Sequence, residues 1–174
     1  IGYRHWTIEM YYRLFAPELL PKDIDRVLYL DCDIIVDGDV SKMYFSEIKD
    51  ISAIVTTDFM SIQAGNPKRL GYDERHGYFN SGMMLINISY WREHDILQRS
   101  INYIKENSEI LFLYDQDVLN YVLHDSKKFI GIEYNFFSLY ITKMTFDSID
   151  ENMKRGVINC KPRIIHFIEP KPWT

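Results

Sequence analysis

Apolar and polar positions along this chain follow two periods, and the places where one gives way to the other mark its elements. Near the start, Ile8, Tyr11, Tyr12 and Phe15 recur at helical spacing, with Thr7 placed to cap the helix and Pro17 and Pro21 placed to end it. RVLYLD, residues 26–31, is a near-continuous apolar run of the kind that forms a strand covered on both faces. The chain turns in VDGDV, residues 36–40, where Asp-Gly is a strong turn signal, and residues 39–48 read as a short helix or irregular connection. ISAIVTTD, residues 51–58, is a second strand rich in β-branched residues. The polar stretch 61–77 has little periodicity and predicts a surface loop or partial helix.

A third strand is expected in FNSGMMLINI, residues 79–88. The helix after it has Ser89 in place to cap it and carries Ile96, Leu97, Ile101 and Ile104 on one face. DQDVLNYVLH (115–124) predicts another helix, KKFIGIEYN (127–135) a strand, and RIIHFIE (163–169) a last strand. Strands alternating with helices indicate an α/β layer fold with a mostly parallel sheet. Ligands of such sheets collect beyond the carboxyl ends of the strands. Acids stand there in this chain, Asp31 and Asp33 after one strand and Asp58 after the next. Asn80 opens the third strand, so it reaches the same edge only if that strand runs antiparallel or the chain doubles back.

A length of 174 residues suits one domain, 1–174, and an apolar share of 47% is that of a folded globular chain. The net charge of −5, with acids and bases interleaved and no basic block, argues against nucleic acid as a partner. No apolar run approaches the roughly 20 residues that span a bilayer. The chain begins at Ile1 without a Met and is read as a fragment, so a missing targeting signal carries no weight. Cys32 and Cys160 match no metal or redox spacing and read as reduced thiols of a cytosolic protein. Asn87-Ile88-Ser89 has the form of a glycosylation sequon but lies in what reads as buried strand, which makes it a chance match.

Chemistry is concentrated in LYLDCDIIV, where two carboxylates interrupt a core strand. Burying a carboxylate costs several kcal/mol unless it is paired or binds a metal. A calcium loop is excluded, because Ile35 and Val36 stand where further acids and a Gly are needed. A magnesium-dependent phosphatase of the haloacid-dehalogenase type would use the first Asp as nucleophile, but no clear acidic pair follows downstream. The third chemistry is a divalent metal shared with a nucleotide diphosphate. An isolated Asp-x-Asp is also a common turn whose acids cap backbone N–H groups.

RVLYLDCDIIV, YFNSGMMLINISYW, YDQDVLN and IIHFIEPKPW, in that order and at those separations, resemble glycosyltransferase family 8. That family includes bacterial lipopolysaccharide galactosyl- and glucosyltransferases and glycogenin. The likeness runs from about Trp6 to Trp173. It implies a GT-A fold, a Rossmann-like mixed sheet flanked by helices. Asp31 and Asp33 then resemble the pair that binds manganese, with magnesium as the alternative, and His166 the third protein ligand. Alternate positions on an extended strand point both carboxylates the same way, and oxygen ligands suit a hard ion. Lys171 resembles the residue that contacts the donor diphosphate, and Arg13 an arginine that reaches the donor. Asp58, Asn80 and Asp115 resemble groups that hydrogen-bond the sugar, and Gly82 would let the backbone approach the donor. Gln116 resembles a glutamine near the reacting carbon, with Asp115 as the other candidate nucleophile.

The chain departs from the family pattern twice. HFIEPKPW carries Glu169 and is one residue tighter than many members, which bears on Lys171 more than on His166. Nothing matches the family's uridine-binding segment, so the sheet is expected to lack that N-terminal strand. An open strand edge would favour homo-oligomers. The resemblance implies retaining, manganese-dependent transfer of a hexose from a UDP-sugar to a hydroxyl acceptor, a saccharide or lipopolysaccharide-type molecule. The expected place is the cytoplasm, with peripheral contact at the inner face of the membrane. The alternatives are a non-catalytic sugar-nucleotide or carbohydrate-binding remnant and, third, the phosphatase.

Overall fold

A computed structural model describes residues 8–168 together with Lys171 and Trp173. Thr7 and Glu169, which the sequence reading singled out, lie outside the described residues. The chain opens with a 3-10 helix, Ile8–Phe15, that runs on into α1, Ala16–Leu19. Pro17 sits in the first turn of α1 and so begins a helix instead of ending one, because that turn needs no N–H from it. Strand β1, Arg26–Leu30, is followed by a short β2, Ile34–Val36, for which no separate element is expected from the sequence, and by α2, Ser41–Tyr44. Next come β3, Ala53–Thr57, and the helices α3, Phe59–Gln63, and α4, Asn66–Leu70. Residues 61–77 are thus partly helical, as one of the two sequence readings had it.

The long strand β4, Phe79–Asn87, leads into α5, Ile88–Glu93, and α6, Ile96–Asn107. Asn87, not Ser89, caps α5: its side chain accepts from Tyr90 N, and the helix has already begun at Ile88. The same buried amide donates to Ile48 O at 2.6 Å and Ile51 O at 3.0 Å, so the sequon asparagine is fully used inside the fold. Helix α7, Asp115–Val122, precedes β5, Lys127–Ile130. At Gly131 the chain leaves that strand for a 3-10 turn, and β6 is Phe136–Phe137. Helices α8, Lys143–Ser148, and α9, Glu151–Asn159, occupy a stretch for which the sequence pattern suggested no element. The final strand β7, Ile164–His166, is shorter than expected. Among the described residues no helix is long and apolar enough to cross a membrane.

The strands form two sheets, ordered β1-β4-β3-β5 and β2-β7-β6. A mostly parallel sheet was expected; instead β4 runs antiparallel to both β1 and β3, while β3 and β5 are parallel. The chain between β3 and β4 returns to the edge it left, and that return reverses the strand. All nine residues of β4 are buried. Met84 and Ile86 join the core under α5–α7, whereas Met83 and Leu85 pack with Ile54 and Ile164 on the other face, the period of two expected of a strand covered twice.

Two polar devices tie the layers together. Asn120 of α7 accepts from Phe79 N and donates to Phe79 O, both at 2.8 Å, and so pairs with the first residue of β4 as a neighbouring strand would. Lys127 at the sheet edge donates to His76 O at 2.8 Å and His124 O at 2.7 Å, beside the rings of Phe79 and Phe129. Burial lowers the Lys127 pKa to about 8.

This shift predicts a pH dependence. Between about pH 8 and about pH 10 the unfolded chain, with its ordinary lysine, holds more protons than the folded one. Folding stability therefore rises with pH across that window, because the desolvation penalty on the ammonium is relieved. Urea midpoints of the parent should climb relative to those of Lys127→Met over the same range. Parallel profiles would mean that the ammonium is not desolvated.

Candidate active site

Because β4 is antiparallel to its neighbours, its first residues lie at the carboxyl ends of β1 and β3. Asn80 therefore meets Asp31 and Asp58, the condition under which the sequence allowed it to do so. Pairing between β3 and β4 jumps from Val55↔Met84 to Thr56↔Asn80, which leaves Ser81, Gly82 and Met83 without partners in β3. Such bulges re-aim side chains near functional sites. Ser81 lines a cavity of about 940 Å³. Arg13, Asp31, Asp33, Asp58, Asn80, Asp115, Gln116, His166 and Lys171 all line it, and of the candidates only Gly82 does not.

One end of the cavity is a group of metal-ligand character. Asp31, Asp33 and His166 each offer an atom, all within 4.8 Å of one another. The pairing of Ile34 with His166 in adjacent antiparallel strands brings Asp33 beside the ring. Nε2 of His166 is 3.2 Å from Asp33 Oδ1 and 4.0 Å from Asp31 Oδ2. His166 is only 2% exposed, and burial pushes its pKa down against the pull of the two carboxylates. A neutral imidazole is the form that binds a metal. Lys171 stands 3.0 Å from Asp33 Oδ2, so the tight HFIEPKPW spacing leaves it beside the acidic pair. Cys32, between the two acids, is exposed and outside the group.

Gly82 makes room for neighbouring side chains. A Cβ there would fall inside van der Waals contact of His166 Cε1 and 2.8 Å from Asp31 Oδ2. The missing side chain lets those two residues converge.

Arg13 bridges the two kinds of carboxylate. It donates to Asp31 Oδ1 at 2.9 Å and to Ser81 O at 2.6 Å, and its Nε lies 3.1 Å from Asp115 Oδ2. Its guanidinium sits 4.3 Å over the Tyr29 ring, and the Tyr29 hydroxyl donates to the same Asp31 oxygen at 2.8 Å. Burial raises the Asp115 pKa to about 6, with Arg13 holding it down in part. Asp115 is therefore mostly ionised at neutral pH but not by a wide margin.

Another wall is a run of amides and acids. Gln116 Oε1 accepts from Asn80 Nδ2 at 2.9 Å and Ser81 N at 3.1 Å, while its Nε2 donates to Asp58 Oδ2 at 3.3 Å. Asp58 also caps α3, taking Ser61 N and the Ser61 hydroxyl, and burial raises its pKa. Behind this wall stands Asp117, fully buried, which the sequence reading passed over. It accepts from Arg69 at 2.9 and 3.0 Å, from the Tyr78 hydroxyl at 2.7 Å, and from the N–H groups of Phe112 and Leu113. Arg69 also donates to Ile110 O. These contacts hold the turn that delivers Asp115 and Gln116, in which Tyr114 has a φ of 45°. A third acid in YDQDVLN was a visible signal for Asp117. Asn135, which touches His166, had none.

Comparison with known proteins gives the family and the fold. The family model described as Glycosyl transferase family 8 matches residues 3–174. Lipopolysaccharide 1,2-glucosyltransferase of Escherichia coli K12 is 32% identical over 171 residues, 97% of this chain and 50% of the relative. General stress protein A of Bacillus subtilis is 32% identical over 175 residues, 98% of this chain and 60% of that protein. The chain spans about half the length of the curated relatives it matches. Among solved structures, galactosyltransferase LgtC in complex with donor and acceptor sugar analogs superposes with a TM-score of 0.84 at 27% identity, over 100% of this chain and 63% of that one. WbbM, a bifunctional glycosyltransferase, matches at TM-score 0.84 and 20% identity over 99% of this chain and 34% of that one, a likeness of fold. The GT-A fold, a mixed sheet flanked by helices, is the fold of this chain.

Gly82→Ala tests the close approach directly. The added methyl must displace the imidazole or part the strands, and overpacking of this kind costs about 1–3 kcal/mol. A lowered denaturation midpoint is expected, and an unchanged one would mean that His166 does not occupy the space above residue 82.

Proposed function

The chain belongs to glycosyltransferase family 8, and on that footing we propose that it takes part in retaining, manganese-dependent transfer of a hexose from a UDP-sugar to a hydroxyl acceptor. The single observation that carries this reading is the make-up of the cavity. Its lining combines a group of metal-ligand character, Asp31, Asp33 and His166 with Lys171 beside it, with the hydrogen-bonding side chains of Asp58, Asn80, Asp115 and Gln116. The first set suits a metal and a diphosphate, the second a ring of hydroxyls.

Two carboxylates and an imidazole, without a thiolate, fit manganese or magnesium. Bound there, the ion would neutralise charge on the departing diphosphate. Lys171, which pairs with Asp33, would supply a positive charge to the diphosphate beside the ion. Arg13 keeps Asp31 and Asp115 at fixed distance and offsets their repulsion. Gln116 has both ends of its amide engaged, which suits it to orient a sugar and makes it a poor nucleophile. Same-face attack, with the leaving phosphate taking the acceptor proton, is the more natural route to retention. Asp115 remains the candidate nucleophile if a covalent intermediate forms. Relatives named as lipopolysaccharide glucosyl- and galactosyltransferases support a saccharide or lipopolysaccharide-type acceptor.

Titration calorimetry of the intact gene product with UDP, with and without manganese, tests the reading. Binding should require the metal, and equal affinity in both conditions would rule the metal out. His166→Ala should weaken manganese binding and turnover together. Lys171→Ala should leave manganese affinity nearly intact and weaken UDP binding by about one to two powers of ten, the worth of a charge-assisted contact of about 1.5–3 kcal/mol.

A further inference from the structure

Behind the acidic pair, the buried side-chain amides form a chain with a single consistent polarity. Gly82 N lies 3.0 Å from an atom of the Asn80 amide. A backbone N–H can only donate, so that atom is the oxygen. The Asn80 nitrogen then points at Gln116 and must meet its oxygen, which Ser81 N independently requires at 3.1 Å. On the other side, the Asn135 atom 3.0 Å from Asn80 Oδ1 must be the amide nitrogen, since two oxygens would repel. That leaves Asn135 Oδ1 facing His166 Nδ1 at 3.0 Å. An amide oxygen can only accept, so Nδ1 must carry the proton.

From this relay we infer that Asn135 is a positioning residue, which holds a proton on His166 Nδ1 and so makes Nε2 the nitrogen that faces Asp31 and Asp33. The polarity is imposed by two backbone N–H groups of the β4 bulge, Ser81 and Gly82. The competing tautomer would place a proton on Nε2 toward Asp33 Oδ1, 3.2 Å away. It would also set the Nδ1 lone pair against the Asn135 oxygen. Asn135 cannot turn over in response, because its nitrogen is held by Asn80 and Asn80 by Gly82. At 1% exposure Asn135 is shielded from bulk water. Hydrogen bonds to the outer nitrogen of a metal-ligating histidine are a general means of fixing the ring and its basicity. The value of this tautomer to a metal rests on the functional reading above, but the tautomer itself does not.

Long-range proton–nitrogen NMR of metal-free, histidine-labelled protein at about pH 8, where an ordinary imidazole is neutral, reads the tautomer directly. His166→Gln identifies the signal. The parent should show Nδ1–H. Asn135→Asp keeps an acceptor toward Nδ1 and should keep that tautomer. Asn135→Leu removes the acceptor and should move the proton to Nε2, with manganese affinity falling about ten- to a hundredfold. An Nε2–H tautomer in the parent or in Asn135→Asp overturns the inference, whatever becomes of the leucine variant. So does a folded Asn135→Leu with unchanged tautomer and unchanged manganese affinity. Should the parent bind no manganese, the functional reading fails and the tautomer spectra still decide this one.

Discussion

Burial of β4 on both faces, combined with its antiparallel course, is the constraint from which the rest of the site follows. A strand that is covered on both sides cannot slip by one residue without moving its whole side-chain set to the wrong layer. Its register against Arg26–Leu30 is therefore fixed, and with it the hydrogen bond that Asp31 N donates to Gly82 O. The bulge opposite Val55 and Thr56 then sets Ser81 on the cavity wall. Asn120 locks α7 to the same strand end by pairing with the Phe79 backbone. Asp115 and Gln116 arrive at the site because that helix has nowhere else to begin.

Such a site must hold several acids in a region where water is scarce, and each is compensated. Removing one partner from a buried ion pair costs about 3–5 kcal/mol, because the other charge is left exposed to a low dielectric. Asp117 is met by Arg69, a tyrosine hydroxyl and two backbone donors, and has no capacity left for a ligand. Asp115 is different: among the described residues Arg13 alone of the cations pairs with it, and its pKa is raised to about 6. Asp31 and Asp33 retain partial access to the cavity, with Arg13 and Lys171 as counter-charges. The gradient from saturated to half-satisfied carboxylates separates what holds the fold from what is free to act.

Much of this was legible in the sequence, because the signals were local. Period-two and continuous apolar runs marked the strands, and Asp-x-Asp after a core strand marked the acidic pair. Four ordered motifs carried the family and its GT-A fold. Even the direction of the third strand was posed correctly as a condition on Asn80. The misreadings have equally local causes. A cap was sought in Ser89 when Asn87, two residues earlier, already reached Tyr90 N. Pro17 was read as a stop when its place in a first turn made it a start.

Tertiary structure alone decided the rest. Whether Gly82 serves a ligand or a neighbouring side chain depends on what stands above it, and His166 comes from a strand eighty-odd residues away. Asn135 has no pattern around it that announces a partner, yet its two amide atoms link His166 to Asn80. Residue types and their spacing determined which groups could bind a metal, a phosphate or a sugar. Which of them touch, and in which protonation state, was settled by buried hydrogen bonds between distant segments, since a buried donor or acceptor without a partner costs about 1–3 kcal/mol.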